Sequence, residues 1–156
     1  MTCHIVVRIR PYQLDNLEDT VRLWYRTWHE TFSYIKHPHP YSVWKARFRD
    51  HLAAHGDIWL TEVENQIVGF VVVIKEEQWL SQLFVDATYQ NLGIGSVLLD
   101  KAKAICPQGL RLHTLQANMR TCAFYERHSF KVGKLSINEI NGQPNVEYYW
   151  MPERDI

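Results

Sequence analysis

The feature that most constrains the fold is a glycine-containing turn between a predicted strand and a predicted helix. The turn reads Gln-Asn-Leu-Gly-Ile-Gly at 90–95 and follows an apolar run at 79–85. Apolar residues then recur at three- and four-residue spacing over 94–105, which predicts a helix with one buried face. A strand that leads through such a turn into a helix leaves backbone N–H groups free at the positive end of the helix dipole. The pattern predicts an anion site that suits a phosphate group.

Two common phosphate-binding motifs do not fit this turn. The dinucleotide fingerprint needs a third glycine at position 98, where this chain has Leu98. A P-loop needs Gly-Lys-Ser or Gly-Lys-Thr, and neither follows Gly95. Taken alone, the turn could also be only the start of a helix.

A second motif follows about thirty residues later and indicates which family the turn belongs to. After Asn118 the chain reads Ala-Phe-Tyr-Glu-Arg-His-Ser-Phe at 123–130. In this order and separation the two motifs resemble those of the GNAT superfamily of N-acetyltransferases, written Gln/Arg-x-x-Gly-x-Gly/Ala and Ala-x-x-Phe-Tyr-Glu-x-x-Gly-Phe. The chain departs from the second motif at Ser129, where the family usually has glycine. We expect either a strained serine or a different turn at that point.

The order of predicted elements agrees with this resemblance. Periodicity and turn residues predict strand, two helices, three strands, helix, strand, helix and two strands. The predicted ranges are 5–10, 14–28, 42–55, 58–63, 67–75, 79–85, 94–105, 110–115, 120–128, 130–137 and 146–151. The resemblance implies an α/β (α+β) fold with a mixed, centrally splayed seven-stranded sheet flanked by about four helices. We expect one N-acetyltransferase domain over residues 1–156.

Composition sets limits on partners and location. The chain has 17 basic and 17 acidic residues, so it lacks the basic surplus of a nucleic-acid-binding protein. It has no apolar run long enough to span a bilayer and no leader pattern. Its three cysteines lack metal-type or redox-type spacing, which fits reduced thiols and a cytoplasmic location. Many members of the resembled family dimerise, so a homodimer is possible.

The resemblance implies acetyl-CoA as co-substrate and assigns residues to it. The main chain of Leu83, Phe84 and Val85 would hold the pantetheine arm as an added strand. The backbone from Gln90 through Asn91, Leu92, Gly93, Ile94, Gly95 and Ser96 would hold the pyrophosphate. Asn118 would hydrogen-bond the pantetheine, and an asparagine there also suits a helix cap.

Tyr125 carries the catalytic prediction. The resemblance implies that its phenol protonates the departing CoA sulfur, as a general acid. The alternative is a core aromatic residue beside Phe124. The sequence does not identify a general base: the predicted fourth strand has no carboxylate, and Glu76, Glu77 and His113 are each compatible with ordinary structural roles.

The segment from 28 to 42 is predicted to lie over the acceptor side of the sheet. The residues expected to contact the acceptor are Trp28, Phe32, Tyr34 and His37, together with the loop at 138–145. The alternative is that this segment only packs on the core helices. The proline-flanked His37 and His39 lack the spacing and partners of a zinc site, so no metal is expected.

Three functions are compatible with the sequence. The first is transfer of an acetyl group from acetyl-CoA to a primary amine of a small molecule or a peptide amino terminus, by direct attack in a ternary complex. The second is a non-catalytic domain that binds or senses acyl-CoA. The third is transfer of a longer acyl group.

Overall fold

The protein is described here by a computed structural model, over residues 5–153. The strands are β1 (Arg8–Pro11), β2 (Asp57–Val63), β3 (Gln66–Ile74), β4 (Trp79–Val85), β5 (Leu110–Leu115), β6 (Lys131–Ile137) and β7 (Pro144–Trp150). The helices are α1 (Leu17–Thr31), α2 (Tyr41–Arg47), α3 (Ala53–His55), α4 (Ile94–Ile105) and α5 (Met119–Arg127). A π-helical turn (Phe48–Leu52) joins α2 to α3.

The strands form one seven-stranded sheet in the order β1-β2-β3-β4-β5-β7-β6. The β4–β5 pair is parallel, whereas the neighbouring pairs on both sides are antiparallel. It is paired only where Trp79 faces Arg111, and the Arg111 N–H donates to the Gln78 carbonyl at 2.9 Å. A bulge interrupts the β3–β4 register on the same strand. Beyond this point β4 and β5 diverge, which confirms the predicted mixed, centrally splayed sheet.

Two apolar layers cover the two faces of the sheet. One face packs against α4 and α5, around Leu98, Leu99 and Tyr125. The other packs against α1 and the α2–α3 segment, around Trp24, Phe48 and other aromatic residues. The opposite faces follow from strand alternation, because neighbouring residues of β3 such as Phe70 and Val71 enter different clusters.

Several boundaries differ from the predicted ones for local reasons. The first strand begins at Arg8 rather than residue 5, and its pairing with β2 includes an ion pair between Arg10 and Glu62. The segment predicted as the second helix begins at Tyr41, directly after Pro40, and comprises α2, the π-helical turn and α3. The last strand begins at Pro144, because the Asn138 N–H donates to the Gln143 carbonyl and closes the hairpin earlier.

The turn that follows α5 shows which backbone conformation Ser129 adopts. Ser129 has φ of 72°, in the left-handed region that glycine occupies most easily. The Ser129 N–H donates to Glu126 O at 3.2 Å and the Phe130 N–H to Tyr125 O at 3.0 Å, the two bonds of a Schellman motif. The serine therefore adopts the glycine-type turn, with some strain.

Candidate active site

A cavity of about 900 Å³ occupies the gap between the diverging strands. Its walls come from both layers: Trp24 and Trp28 of α1 on one face, and Gly95 and Phe124 of α4 and α5 on the other. The gap between β4 and β5 therefore joins the two sides of the sheet.

The edge of β4 that faces this cavity carries free main-chain groups. The Asp86 N–H donates to Val68 O at 2.7 Å, and the register pairs Phe84 with Phe70. Because antiparallel strands alternate hydrogen-bonded and non-hydrogen-bonded pairs, Phe84 bonds to β3 while Leu83 and Val85 direct their N–H and C=O groups towards β5. Since β5 has diverged there, these groups face the cavity.

One of these groups already has a partner. The Gln90 side chain donates to the Val85 carbonyl at 3.1 Å, which fixes the start of the glycine turn against the strand edge. The Val85 N–H and both main-chain groups of Leu83 remain for a ligand. Phe84 contributes its ring to the lining, stacked on Phe70 at 5.9 Å.

The glycine turn opens α4 without a side-chain cap. Asn91 and Gly93 have φ of 66° and 82°, and no side chain caps the first N–H groups of α4. Val97 N–H makes the first helical bond, to Gly93 O at 3.1 Å. A Cβ on Gly95 would lie 3.3 Å from two atoms of the Phe124 ring, so there is little space for a side chain at that position. Free N–H groups at the start of a helix are of the kind that suits an anion, and the residues of this turn Gln90, Asn91, Gly93 and Gly95 line the cavity.

Side chains from α5 complete this wall. The Asn118 carbonyl accepts the Thr121 N–H at 3.2 Å, so the interpretation as a helix cap is confirmed, and its amide group also lines the cavity. Arg120 donates to the Asn91 side chain at 2.7 Å, and Ser96 Oγ lies 3.1 Å from the His128 ring. These contacts join α5 to the glycine turn.

Tyr125 lies between the core and the cavity. Its side chain is 4% exposed, lines the cavity and contacts the rings of Phe124, Phe130 and Tyr148. Burial raises the pKa of Tyr125 well above its ordinary value, so the phenol stays protonated at neutral pH. Cys122, one turn earlier on α5, is half-buried, and its thiol is directed at the Leu115 carbonyl at 3.9 Å.

A histidine in the cavity lining contacts a carboxylate on the neighbouring strand. His113 on β5 lines the cavity, and its Nε2 lies 3.5 Å from the Glu147 carboxylate on β7. The two residues face each other in the β5–β7 register. The Trp79 ring lies 4.7 Å from the imidazole and holds its other side. Glu76 and Glu77 lie in the turn before β4 and do not line the cavity.

The structure brings most, but not all, of the predicted site residues together. Trp28, Phe32 and His37 line the cavity from the α1 side. Tyr34 does not: its side chain is 65% exposed and lies on the outer surface of the loop. Leu92 and Ile94 also lie outside the lining, because Leu92 points to solvent and Ile94 is buried in the core. For these two, the prediction concerned only their backbone.

Several lining residues had no functional signal in the sequence. Trp24 and Trp44 have the spacing of core residues, and Thr27 and Arg47 look like ordinary helix residues. Glu147 does not itself line the cavity, and its role as a partner of His113 becomes visible only through the strand register. The predicted hairpin loop does reach the cavity, through Asn138, Ile140, Asn141 and Asn145.

The described residues contain neither a cluster of metal-binding side chains nor a membrane-spanning helix. Over 5–153, no group of three or more His, Cys, Asp or Glu side chains is arranged to hold a metal ion. In the same range no helix has both the length and the hydropathy to cross a membrane.

Comparisons with known proteins agree on one family. The family model described as "Acetyltransferase (GNAT) family" matches residues 20–130. The chain is 28% identical to "Uncharacterized N-acetyltransferase YafP" of Escherichia coli over 147 residues, 92% of this chain and 93% of that protein. It is 32% identical over 81 residues to "Uncharacterized protein YxbD" of Bacillus subtilis, a match that spans 49% of this chain and about half of that protein.

Solved structures show the same fold. The solution structure of apo YjaB from E. coli superposes with a TM-score of 0.71 at 23% identity, over 92% of this chain and 97% of that one. A structure titled as a putative streptothricin acetyltransferase from Bacillus anthracis, in complex with acetyl coenzyme A, superposes with a TM-score of 0.57 at 25% identity. It covers 64% of each chain.

Proposed function

The chain belongs to the GNAT family of acetyltransferases and is an acetyl-CoA-dependent acyltransferase, and on that premise we propose that it acetylates a primary amine directly, in a ternary complex. The acceptor would be a small molecule or a peptide amino terminus. One observation carries the proposal: a single cavity joins the uncapped glycine turn on one face of the sheet to an aromatic pocket on the other.

The acetyl donor fits the α4 side of the cavity. The free N–H groups at the start of α4 suit a pyrophosphate, and the main-chain groups of Leu83 and Val85 suit the amides of a pantetheine arm. Asn118 lines the cavity farther along, on the same side as Tyr125. The B. anthracis structure, a related fold in complex with acetyl coenzyme A, supports acetyl-CoA as the donor.

Tyr125 is the proposed general acid. The co-substrate supplies an activated acetyl thioester, and the Val85 N–H can donate to its carbonyl oxygen as negative charge develops. The buried phenol, which keeps its proton at neutral pH, can protonate the departing sulfur. Because no side chain must be acylated in this route, Cys122 has no assigned role.

His113 is the proposed general base, with Glu147 as its positioning residue. The amine must lose a proton before or during attack, at a cost of about 4.6 kcal/mol for a lysine-type amine and about 1 kcal/mol for an α-amino group at pH 7. His113 lines the same cavity as Tyr125, and Glu147 can hold the imidazole in one orientation. The lower cost of deprotonation favours an α-amine as the acceptor. The relative YjaB of E. coli is a "Peptidyl-lysine N-acetyltransferase", so lysine is the second acceptor class.

The test is a bisubstrate assay that follows CoA release with a thiol reagent while acetyl-CoA and a panel of amines are varied. Direct transfer predicts intersecting initial-velocity lines and an unmodified protein mass after incubation with acetyl-CoA alone. Saturable binding of acetyl-CoA without turnover of any amine would instead support a sensing domain. A higher kcat/KM with longer thioesters would support transfer of another acyl group.

Location and assembly remain predictions. Dependence on acetyl-CoA, together with Cys106 and Cys122 as free thiols, supports a cytoplasmic location. The possible homodimer is tested by light scattering of the purified protein.

A further inference from the structure

A small pocket on the α1 side of the cavity has an unusual hydrogen-bonding character. It is formed by facing residues of α1, of α2 and of the loop between them, and we call it the α1–α2 pocket. Its residues are Trp24, Thr27, Trp28, His37, Trp44 and Arg47, all of which line the cavity. Trp24, Thr27, Trp28 and Trp44 are buried, so this is a formed pocket rather than a surface patch.

Two polar atoms in this pocket are buried without a partner. Thr27 Oγ1 and the indole Nε1 of Trp44 make no hydrogen bond within residues 5–153. A buried polar group without a partner costs about 1–3 kcal/mol, and two of the four such atoms among the described residues belong to this pocket. The indole N–H can only donate, and the threonine hydroxyl can donate as well.

Arg47 adds a positive charge to the same pocket. Its guanidinium carbon lies 5.8 Å from the centre of the Trp24 ring, and the Trp24 ring lies 4.6 Å from that of Trp44. Among the ion pairs of the described residues none involves Arg47, whereas Arg49, two positions later, pairs with Asp50 at 2.8 Å. The Arg47 side chain is exposed to solvent, and partial burial of its guanidinium lowers the pKa of this group. Both observations fit a side chain at the mouth of a cavity.

No carboxylate in the pocket balances this charge. Glu30 lines the same cavity but lies 3.9 Å from Arg26, on the exposed side of α1. Glu18, on α1, is paired with Arg22 and Lys45. The remaining titratable side chain in the pocket is His37, whose pKa is lowered mainly by burial. The pocket is therefore rich in donors, and its charge is positive.

We propose that the α1–α2 pocket binds a carboxylate carried by the acceptor, so that the acceptor is an amine whose skeleton also holds a carboxylate and an apolar or aromatic body. Arg47 would bind the carboxylate oxygens with its planar fork. Thr27 Oγ1 and Trp44 Nε1 are closed off from the cavity as the pocket stands, and they would donate to the carboxylate after a shift of the neighbouring side chains. The rings of Trp24, Trp28 and His37 would surround the body of the molecule. This inference rests on the proposed function, which assigns the α1 side of the cavity to the acceptor.

A carboxylate probe that contains no amine separates this inference from catalysis. Phenylacetate and its neutral isostere phenylacetamide are titrated calorimetrically into the protein saturated with CoA. Wild type is expected to bind phenylacetate at least tenfold more tightly than phenylacetamide. Arg47→Gln should weaken phenylacetate binding about 10- to 100-fold and leave phenylacetamide unchanged. Arg47→Lys should retain part of the preference, and Thr27→Val should lose a few-fold.

Arg49→Gln is the matched control, because it removes a neighbouring guanidinium that does not line the cavity. Circular dichroism verifies that each variant is folded. Equal affinity for the two probes, or no binding of phenylacetate to folded wild type, overturns the inference, as does an equal loss in Arg49→Gln. If phenylacetate binds in an Arg47-dependent way but no amine is acetylated, the proposed function fails while the carboxylate site stands.

Discussion

The Nε2 of His113 on β5 lies 3.5 Å from a carboxylate oxygen of Glu147 on β7, at the wall of the cavity between β4 and β5. The two residues are paired across the antiparallel β5–β7 ladder, so the sheet itself sets their contact. Among the described aromatic rings, only that of Trp79 contacts the imidazole, at a centroid distance of 4.7 Å. The imidazole is therefore held in place on one side and open to the cavity on another.

If His113 is the general base, its removal should lower kcat far more than it changes KM. We expect His113→Ala to lower kcat about 100-fold, because positioned proton transfer contributes at least that much. Added imidazole should restore part of the rate. Glu147→Gln should cost about tenfold, and the double variant should cost no more than His113→Ala alone. Unchanged turnover in His113→Ala would remove it from the mechanism.

Removal of the Tyr125 hydroxyl tests the general acid. Tyr125→Phe should lower kcat about 100-fold and leave the affinity for acetyl-CoA unchanged, since the ring packing is kept. Tyr148→Phe is the matched control: its hydroxyl donates to Glu126 at 3.2 Å, beside Tyr125 but outside the cavity lining. It should retain kcat within twofold. Equal losses in both variants would indicate a packing effect.

A larger residue at Gly95 should block the donor site. A Cβ there would lie 3.3 Å from the Phe124 ring, and the branched side chain of Gly95→Val must displace that ring or fill the space above the turn. We expect acetyl-CoA to bind at least tenfold more weakly by calorimetry. Val97→Ala, on the same helix but outside the lining, should bind as wild type does. Wild-type affinity in Gly95→Val would place the pyrophosphate elsewhere.

Ser129 should limit stability. Since it holds φ of 72°, Ser129→Gly is expected to raise the free energy of unfolding by about 1 kcal/mol. Ser129→Ala retains the Cβ and should bring no gain. Urea denaturation followed by circular dichroism measures both. Destabilisation by the glycine would show that the serine hydroxyl makes a contact worth more than the strain.

Burial of His37 should make stability depend on pH. Its pKa is lowered from 6.5 in the folded protein, so the unfolded chain binds more protons at this site. The contribution of the neutral ring is fully present above pH 6.5 and decreases as the pH falls from 6.5 towards the lower folded value. His37→Gln should therefore flatten the unfolding free energy over that interval. A steeper dependence in the variant would contradict the sign.

Much of the donor side was predictable because it consists of backbone geometry that the sequence encodes locally. The glycine turn at 90–95, the helix after it and the cap at Asn118 each follow from residues within a few positions. The order of elements followed from periodicity and turn residues, and the splayed sheet followed from the family resemblance. The turn at Ser129 had two possible conformations, and only the structure showed that the serine adopts the glycine type.

The acceptor side was less predictable because tertiary contacts create it. Trp24 and Trp44 have the periodicity of core residues and pack as core residues, but both also line the cavity. Tyr34 resembled its aromatic neighbours in sequence, yet the loop turns it to solvent. Thr27 becomes notable because no described partner satisfies its buried hydroxyl, and Arg47 because no described carboxylate pairs with it; a sequence cannot show a missing partner.

The most direct test of the account is a calorimetric titration of the wild-type protein with acetyl-CoA, with NADH and ATP as comparison ligands. If the glycine turn holds the pyrophosphate, we expect saturable micromolar binding of one acetyl-CoA per chain, and no comparable binding of NADH or ATP. Absence of binding to folded protein would contradict the assignment of the glycine turn, and the roles proposed for Asn118, Tyr125 and His113 would fall with it.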